Sequence, residues 1–141
     1  MDRVERAKQW RSAWSFVACG LLFLAMSNIE PKAFSPEIYG YWAYQTPAEI
    51  WSAGFMVAGM FWVYGLHING RAPLFSPVLR IIGVGMLLAL FLMLIWSALT
   101  APYGTIVVVF GGLFFVPELV RDLHVNLRLW LFRWGLRNVG V

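Results

Sequence analysis

From Ser76 to Thr100 the chain carries one charged side chain, Arg80, and is otherwise built from residues such as Ile81, Ile82, Leu87, Leu88, Leu90, Phe91, Leu92, Leu94 and Ile95. About 20 predominantly apolar residues suffice for a helix to cross the roughly 30 Å hydrocarbon core of a bilayer. Each Leu, Ile, Val or Phe near the centre of such a helix favours insertion by roughly 0.3 to 0.6 kcal/mol. The stretch predicts a transmembrane helix over about residues 77–99. Backbone groups in lipid must be satisfied internally, which leaves helices or a closed barrel, and continuous apolar runs without alternating segments exclude the barrel. In 141 residues of which 60% are hydrophobic and 13% charged, too little polar surface exists to cover a soluble fold. The expectation is an all-α integral membrane protein, one membrane domain over residues 1–141.

Three further spans are expected, at about residues 13–29, 47–68 and 104–119. The first follows a basic segment with Arg3, Arg6, Lys8 and Arg11, and Trp10 and Trp14 suit the headgroup level. A signal peptide cleaved near Ala25 and Ser27 is the competing reading; an uncleaved span is expected. Residues 30–46 then form an outer aromatic loop in which Tyr41, Trp42 and Tyr44 read as an interfacial belt. Thr46, Pro47 and Glu49 suggest a capping box for span two, and Ser76 with Pro77 a capped start for span three. Small residues mark expected helix contacts: Gly54, Ala58 and Gly65 on span two, Gly85 and Ala89 on span three, Gly111 and Gly112 on span four.

Pro117 is expected to end or kink span four. Beyond it, residues 118–137 form a basic amphipathic helix, with Val120, Leu123, Leu127, Trp130, Leu131 and Trp134 on one face. Such a helix is expected in the interface plane, with Trp130 and Trp134 inserted and Arg128, Arg133 and Arg137 drawn to anionic lipid. Of the eleven Lys and Arg residues, all but Lys32 fall in regions that share one side of a four-span chain. The positive-inside bias therefore predicts cytoplasmic termini, and the net charge of +4 reads as an orientation and lipid signal rather than a nucleic-acid footprint.

Signals for chemistry are sparse. Arg80 and Glu49 lie near predicted helix ends, where snorkelling and capping account for them. His67 and His124 are expected to be ordinary interfacial histidines rather than axial haem ligands, and Glu118, Arg121 and Asp122 a solvated helix start. No catalytic constellation, cofactor site or metal cluster is predicted, so the chain reads as non-enzymatic. Cys19 is expected to pack.

The run Trp96-Ser97-Ala98-Leu99-Thr100-Ala101-Pro102-Tyr103-Gly104, followed by a Val- and Phe-rich span, resembles small multi-spanning, holin-like membrane proteins of bacteriophage genomes. The resemblance covers the last two spans and implies a bacterial inner membrane in which many copies associate and breach the bilayer. Four spans depart from the one to three of the familiar holin classes. The expected function is self-association that permeabilises or remodels the bilayer, the homo-oligomer being the partner; the alternative is an accessory or scaffolding subunit of a larger membrane complex.

Overall fold

A computed structural model describes residues 3–29, 37, 46–69 and 71–138. Four helical rods account for most of these residues, and no strand occurs among them. They are α1 (Arg3–Ile29), α2 (Ala48–His67), α3 (Phe75–Ala98) and a last rod made of α4 (Thr105–Phe110), a π-helical turn (Gly111–Phe115) and α5 (Val116–Asn138). Among the described residues one helix, α3, is long and apolar enough to cross a membrane, with a mean hydropathy of 2.7 over its most apolar window. Only 28% of that window is buried, unlike the core helix of a soluble protein.

Close contacts fix the topology. Ser52 on α2 donates to the Gly20 carbonyl of α1, while Gly59 lies against Val17 and Ala13, so the α1 and α2 numbering runs in opposite directions. Gly65 meets Ser76 and Arg80, Gly83 meets Trp62 and Ala58, and Gly54 meets Leu90, which makes α3 antiparallel to α2. Gly111 meets Ile95, the rings of Phe91 and Phe115 stack at 5.1 Å, and Arg133 reaches the Pro73 carbonyl at 2.8 Å. The last rod is therefore antiparallel to α3, and the bundle runs up, down, up, down. Between these rods sits an aromatic core in which Phe16 packs on Trp62, Phe91 and Phe115 at 5.8–6.2 Å.

Backbones approach most closely where side chains are missing. A Cβ on Gly83 would stand 2.6 Å from the Ala58 carbonyl, and one on Gly59 would stand 2.7 Å from Val17. Contacts of this kind let the backbones pack closely and bring many dispersion contacts into the helix interfaces. At the turn after α3, a Cβ on Gly104 would collide with the Ala98 carbonyl, which makes glycine obligatory there.

Several local expectations are corrected. Helix α2 begins at Ala48 with Pro47 as its cap and no side-chain capping bond, so the Thr46–Glu49 box does not form; the Pro47 carbonyl accepts from Ile50 N instead. Likewise α3 begins at Phe75, and the Ser76 hydroxyl donates to the Gly65 carbonyl across the helix interface rather than capping. Pro117 does not end the last rod. Its missing N–H and its ring, which crowds the carbonyl four residues back, are accommodated by the π-helical turn directly before it.

The amphipathic tail is thus no separate helix but the continuation of the rod. From Phe115 to Arg133 and from Phe91 back to Pro73 the chain covers the same number of residues, about 27 Å at the helical rise, so α5 keeps level with α3. Its apolar stripe is turned away from the bundle, as an inserted face requires, and a polar stripe that was not expected to be covered is turned inward. Leu119, Asp122 and Asn126 are buried, while Val120, Leu127, Leu131, Phe132 and Trp134 are exposed. The aromatic loop, with Tyr41, Trp42 and Tyr44, lies outside the described residues.

Candidate functional site

The end of the bundle that gathers the basic residues holds a cluster of buried polar side chains. Ser76 and Arg80, one helical turn apart on α3, share a face. Neither has any exposed surface. The Ser76 hydroxyl donates to the Gly65 carbonyl at 2.8 Å, a contact that depends on the absent side chain of Gly65. Arg80 turns back over Ser76, donating from Nε to its carbonyl and from one terminal nitrogen to its hydroxyl, both at 3.2 Å. The other terminal nitrogen reaches Oε1 of the buried Gln9 on α1 at 3.5 Å. Arg80 does not snorkel to water: it ties α1 to α3.

Helix α5 contributes the next layer. Asn126 donates to the Asp122 carbonyl at 2.8 Å, and both side chains are buried. Arg121 bridges Glu118 at 2.8 Å and Asp122 at 3.2 Å, so the expected solvated helix start is an ion network with one carboxylate turned inside. Further along, Arg133 donates to the Pro73 carbonyl at 2.8 Å and to Asn69 Oδ1 at 3.3 Å. It clamps the α2–α3 connection rather than reaching outward to lipid. Four buried atoms in this region, Glu5 Oε1, Gln9 Nε2, Trp62 Nε1 and Asn126 Oδ1, have no hydrogen-bond partner among the described residues. Buried polar atoms are nearly always paired, so this density of unpaired ones marks the polar end as unusual.

Of the cavities that open among the described residues, two flank the bundle's core. One, of about 430 Å³, lies between α1 and the last rod and is lined by Lys8, Arg11, Trp62, Phe115, Arg121 and Asp122 among others. The second, of about 470 Å³, is an apolar groove between α2 and α3 at the opposite end, with Ile50, Leu90, Met93 and Trp96 in its walls.

Of the expected packing residues, Gly54, Ala58, Gly65 and Gly111 stand at contacts inside the bundle, Gly54 with 3.2 Å between a built Cβ and Leu90. Gly85 and Gly112 do not: no described atom lies within 4 Å of a Cβ at either, and Ala89 is exposed. Because α3 turns the Ser76–Arg80–Gly83–Leu87 stripe inward, residues two positions further on point about 200° away. The inward glycines that the spacing argument missed are Gly20, Gly59 and Gly83. For Gly83 the signal was present, since it continues the i, i+4, i+7 series begun by Ser76 and Arg80.

Among the expected interfacial residues, Trp14 and Trp134 are half exposed, Trp10 and Trp130 more covered, and Trp130 stacks on Trp134 at 6.5 Å. Arg128 is exposed, and Arg137 lies on the last turn of α5. His67 and His124 are both exposed, on α2 and α5. No group of three metal-capable side chains occurs among the described residues. The hydrogen bonds of Arg80 to Gln9 and of Ser76 to the Gly65 carbonyl join α3 to α1 and α2 from inside the bundle. The chain matches no family model, no curated protein and no solved structure.

Proposed function

We propose that the chain is a small, non-enzymatic protein of the bacterial inner membrane that crosses the bilayer four times with both termini cytoplasmic. It acts by self-association through its outer surface, and many copies together permeabilise or remodel the bilayer in the manner of a holin. One observation carries the reading: large apolar side chains stand exposed on every rod, while several polar ones are held inside an otherwise apolar core. Gln9, Ser52, Ser76, Arg80, Asp122 and Asn126 are buried, while Leu22, Phe61, Leu92, Trp96, Leu113 and Phe132 stand exposed on every rod. In water an apolar exterior of this extent drives aggregation. In lipid it is the favoured arrangement, and the polar groups are the ones that need the interior. The positive-inside count supports cytoplasmic termini, because the polar end carries the basic flanks of α1, α3 and α5.

Self-association is supported by the outward side of α3. Gly85 and Ala89 take no part in the bundle's own packing and leave a shallow place where a second backbone can approach. A second reading, an accessory subunit of a larger membrane complex, is favoured by the closed aromatic core, which one chain completes by itself. Expression alone in a bacterium separates the two. The holin-like reading predicts loss of membrane potential together with crosslinked homo-oligomers, both abolished by Gly85→Ile while the variant still inserts. A harmless protein that co-purifies with other membrane proteins supports the subunit instead. Full depolarisation and crosslinking by Gly85→Ile would remove α3 as the interface.

A further inference from the structure

We infer that the cleft between α1 and the last rod is a binding site for the headgroup of an anionic phospholipid. Its walls grade from charged to aromatic in the same direction on both sides. Along α1 the lining passes from Lys8 and Arg11 to Phe16, and along the rod from Arg121 to Phe115. At the helical rise, Lys8 and Phe16 are about 12 Å apart along the axis. The cavity of about 430 Å³ therefore offers cations at one end and ring surfaces at the other, which is the polarity gradient of a phospholipid from phosphate to acyl chain. A free phosphate would engage only the cationic end.

The charge available in the cleft is positive. Both acidic residues in its wall, Glu118 and Asp122, are held by Arg121 at 2.8 and 3.2 Å. Lys8 and Arg11 are exposed and make no ion pair among the described residues. A second observation is independent of charge. Trp62 lines the same cleft, is fully buried, and its indole Nε1–H has no acceptor among the described residues. An unpaired indole donor in the same cleft as two unpaired cations suits an oxygen-rich anionic group, since charge-assisted hydrogen bonds to phosphate are the strong ones. The site differs from the tail surface of Arg128, which lies outside the cleft.

The inference rests on the membrane reading above but not on self-association. Its test uses the full chain in detergent micelles, titrated with phosphatidylglycerol or phosphatidylcholine and read by native mass spectrometry, which does not depend on oligomers or depolarisation. One phosphatidylglycerol per chain should be retained in preference to phosphatidylcholine. At about fivefold for each surface-adjacent cation, Lys8→Gln with Arg11→Gln should weaken retention about thirtyfold. Arg128→Gln should change it less than about twofold. Millimolar inorganic phosphate should not displace the lipid. Equal retention of both lipids, an unaffected double variant, an equal loss in Arg128→Gln, or displacement by inorganic phosphate would each overturn the assignment.

Discussion

The two faces of α3 differ in what they hold at the basic end of the bundle, and the difference is the main lesson of the molecule. Its inner face holds Ser76, Arg80, Gly83, Val84, Leu87, Phe91 and Leu94, all buried, and begins with the most polar groups of the helix. Its outer face carries Ile82, Gly85, Ala89, Leu92, Met93 and Trp96 and has no charge. A surface helix of a soluble protein also turns an apolar stripe to the core but carries polar residues on its outer face, which α3 does not. Helix α5 likewise keeps Asp122 and Asn126 inside with Leu127, Leu131 and Phe132 outside. Two antiparallel neighbours that agree in this respect define a bundle whose order comes from polar contacts and glycine approaches, and whose apolar surface is left for lipid or for other chains.

The sharpest way to break the comparison is to place the same bulky side chain on each face. Gly83→Ile drives a Cβ to 2.6 Å from the Ala58 carbonyl and 2.8 Å from the Trp62 nitrogen, backbone atoms that do not yield as a flexible side chain would. The expected loss is at or above the roughly 3 kcal/mol upper end of overpacking costs. Gly85→Ile, with open space around its Cβ, should stay within about 0.5 kcal/mol. Unfolding of the two variants in mixed detergent micelles measures both, and equal stabilities would mean that α3 is rotated relative to the arrangement described.

Next in size is the charge itself. Arg80→Ala removes a buried guanidinium that donates to Ser76 and Gln9, and hydrogen bonds made by charged groups are worth about 1.5–3 kcal/mol each. Since Gln9 is left buried with fewer partners, a loss of about 3 kcal/mol is expected, against about 0.5 kcal/mol or less for the exposed Arg128→Ala. The same unfolding assay tests it. Similar losses at the two positions would contradict an inward Arg80.

These outcomes bear on how much could be read from residues alone. The apolar length of α3 was legible because a charge-free run of that extent after Arg80 suits few surroundings other than lipid. The helical character of α1, α2 and the last rod was legible from shorter continuous apolar runs. Arg80 was misjudged because position near a helix end is compatible with either snorkelling or an inward turn. What decides between them is a partner, Gln9, 71 residues away. The outward apolar stripe of α5 was legible, but the packing of its polar side was not, because the periodicity is the same whether Asp122 and Asn126 meet water or another helix. Pro117 was read as a stop or a kink because its local cost is plain, whereas the π-helical turn that precedes it leaves no residue signature beyond the Gly111–Gly112 pair.

A smaller effect sharpens the picture at the level of one hydroxyl. Ser76→Ala deletes the buried donor to the Gly65 carbonyl and should cost about 1 kcal/mol. Ser15→Ala removes only a local, exposed bond to the Arg11 carbonyl and should cost almost nothing. If both changes are silent, the Ser76 bond is not among those that hold α2 to α3.

The central claim is that the outer faces of α3 and α5 meet lipid while their polar stripes meet protein. Spin labels introduced one at a time at Ile82, Leu92, Met93, Leu127 and Phe132, in a Cys19→Ser background reconstituted in bilayers, test it directly by collision with relaxing agents. Labels at these exposed positions should relax strongly with dissolved oxygen, which concentrates in the bilayer, and weakly with a water-soluble nickel chelate, most markedly at Leu92 and Met93. Strong relaxation by the nickel chelate along the whole outer face of α3 would place that face in water and contradict the account.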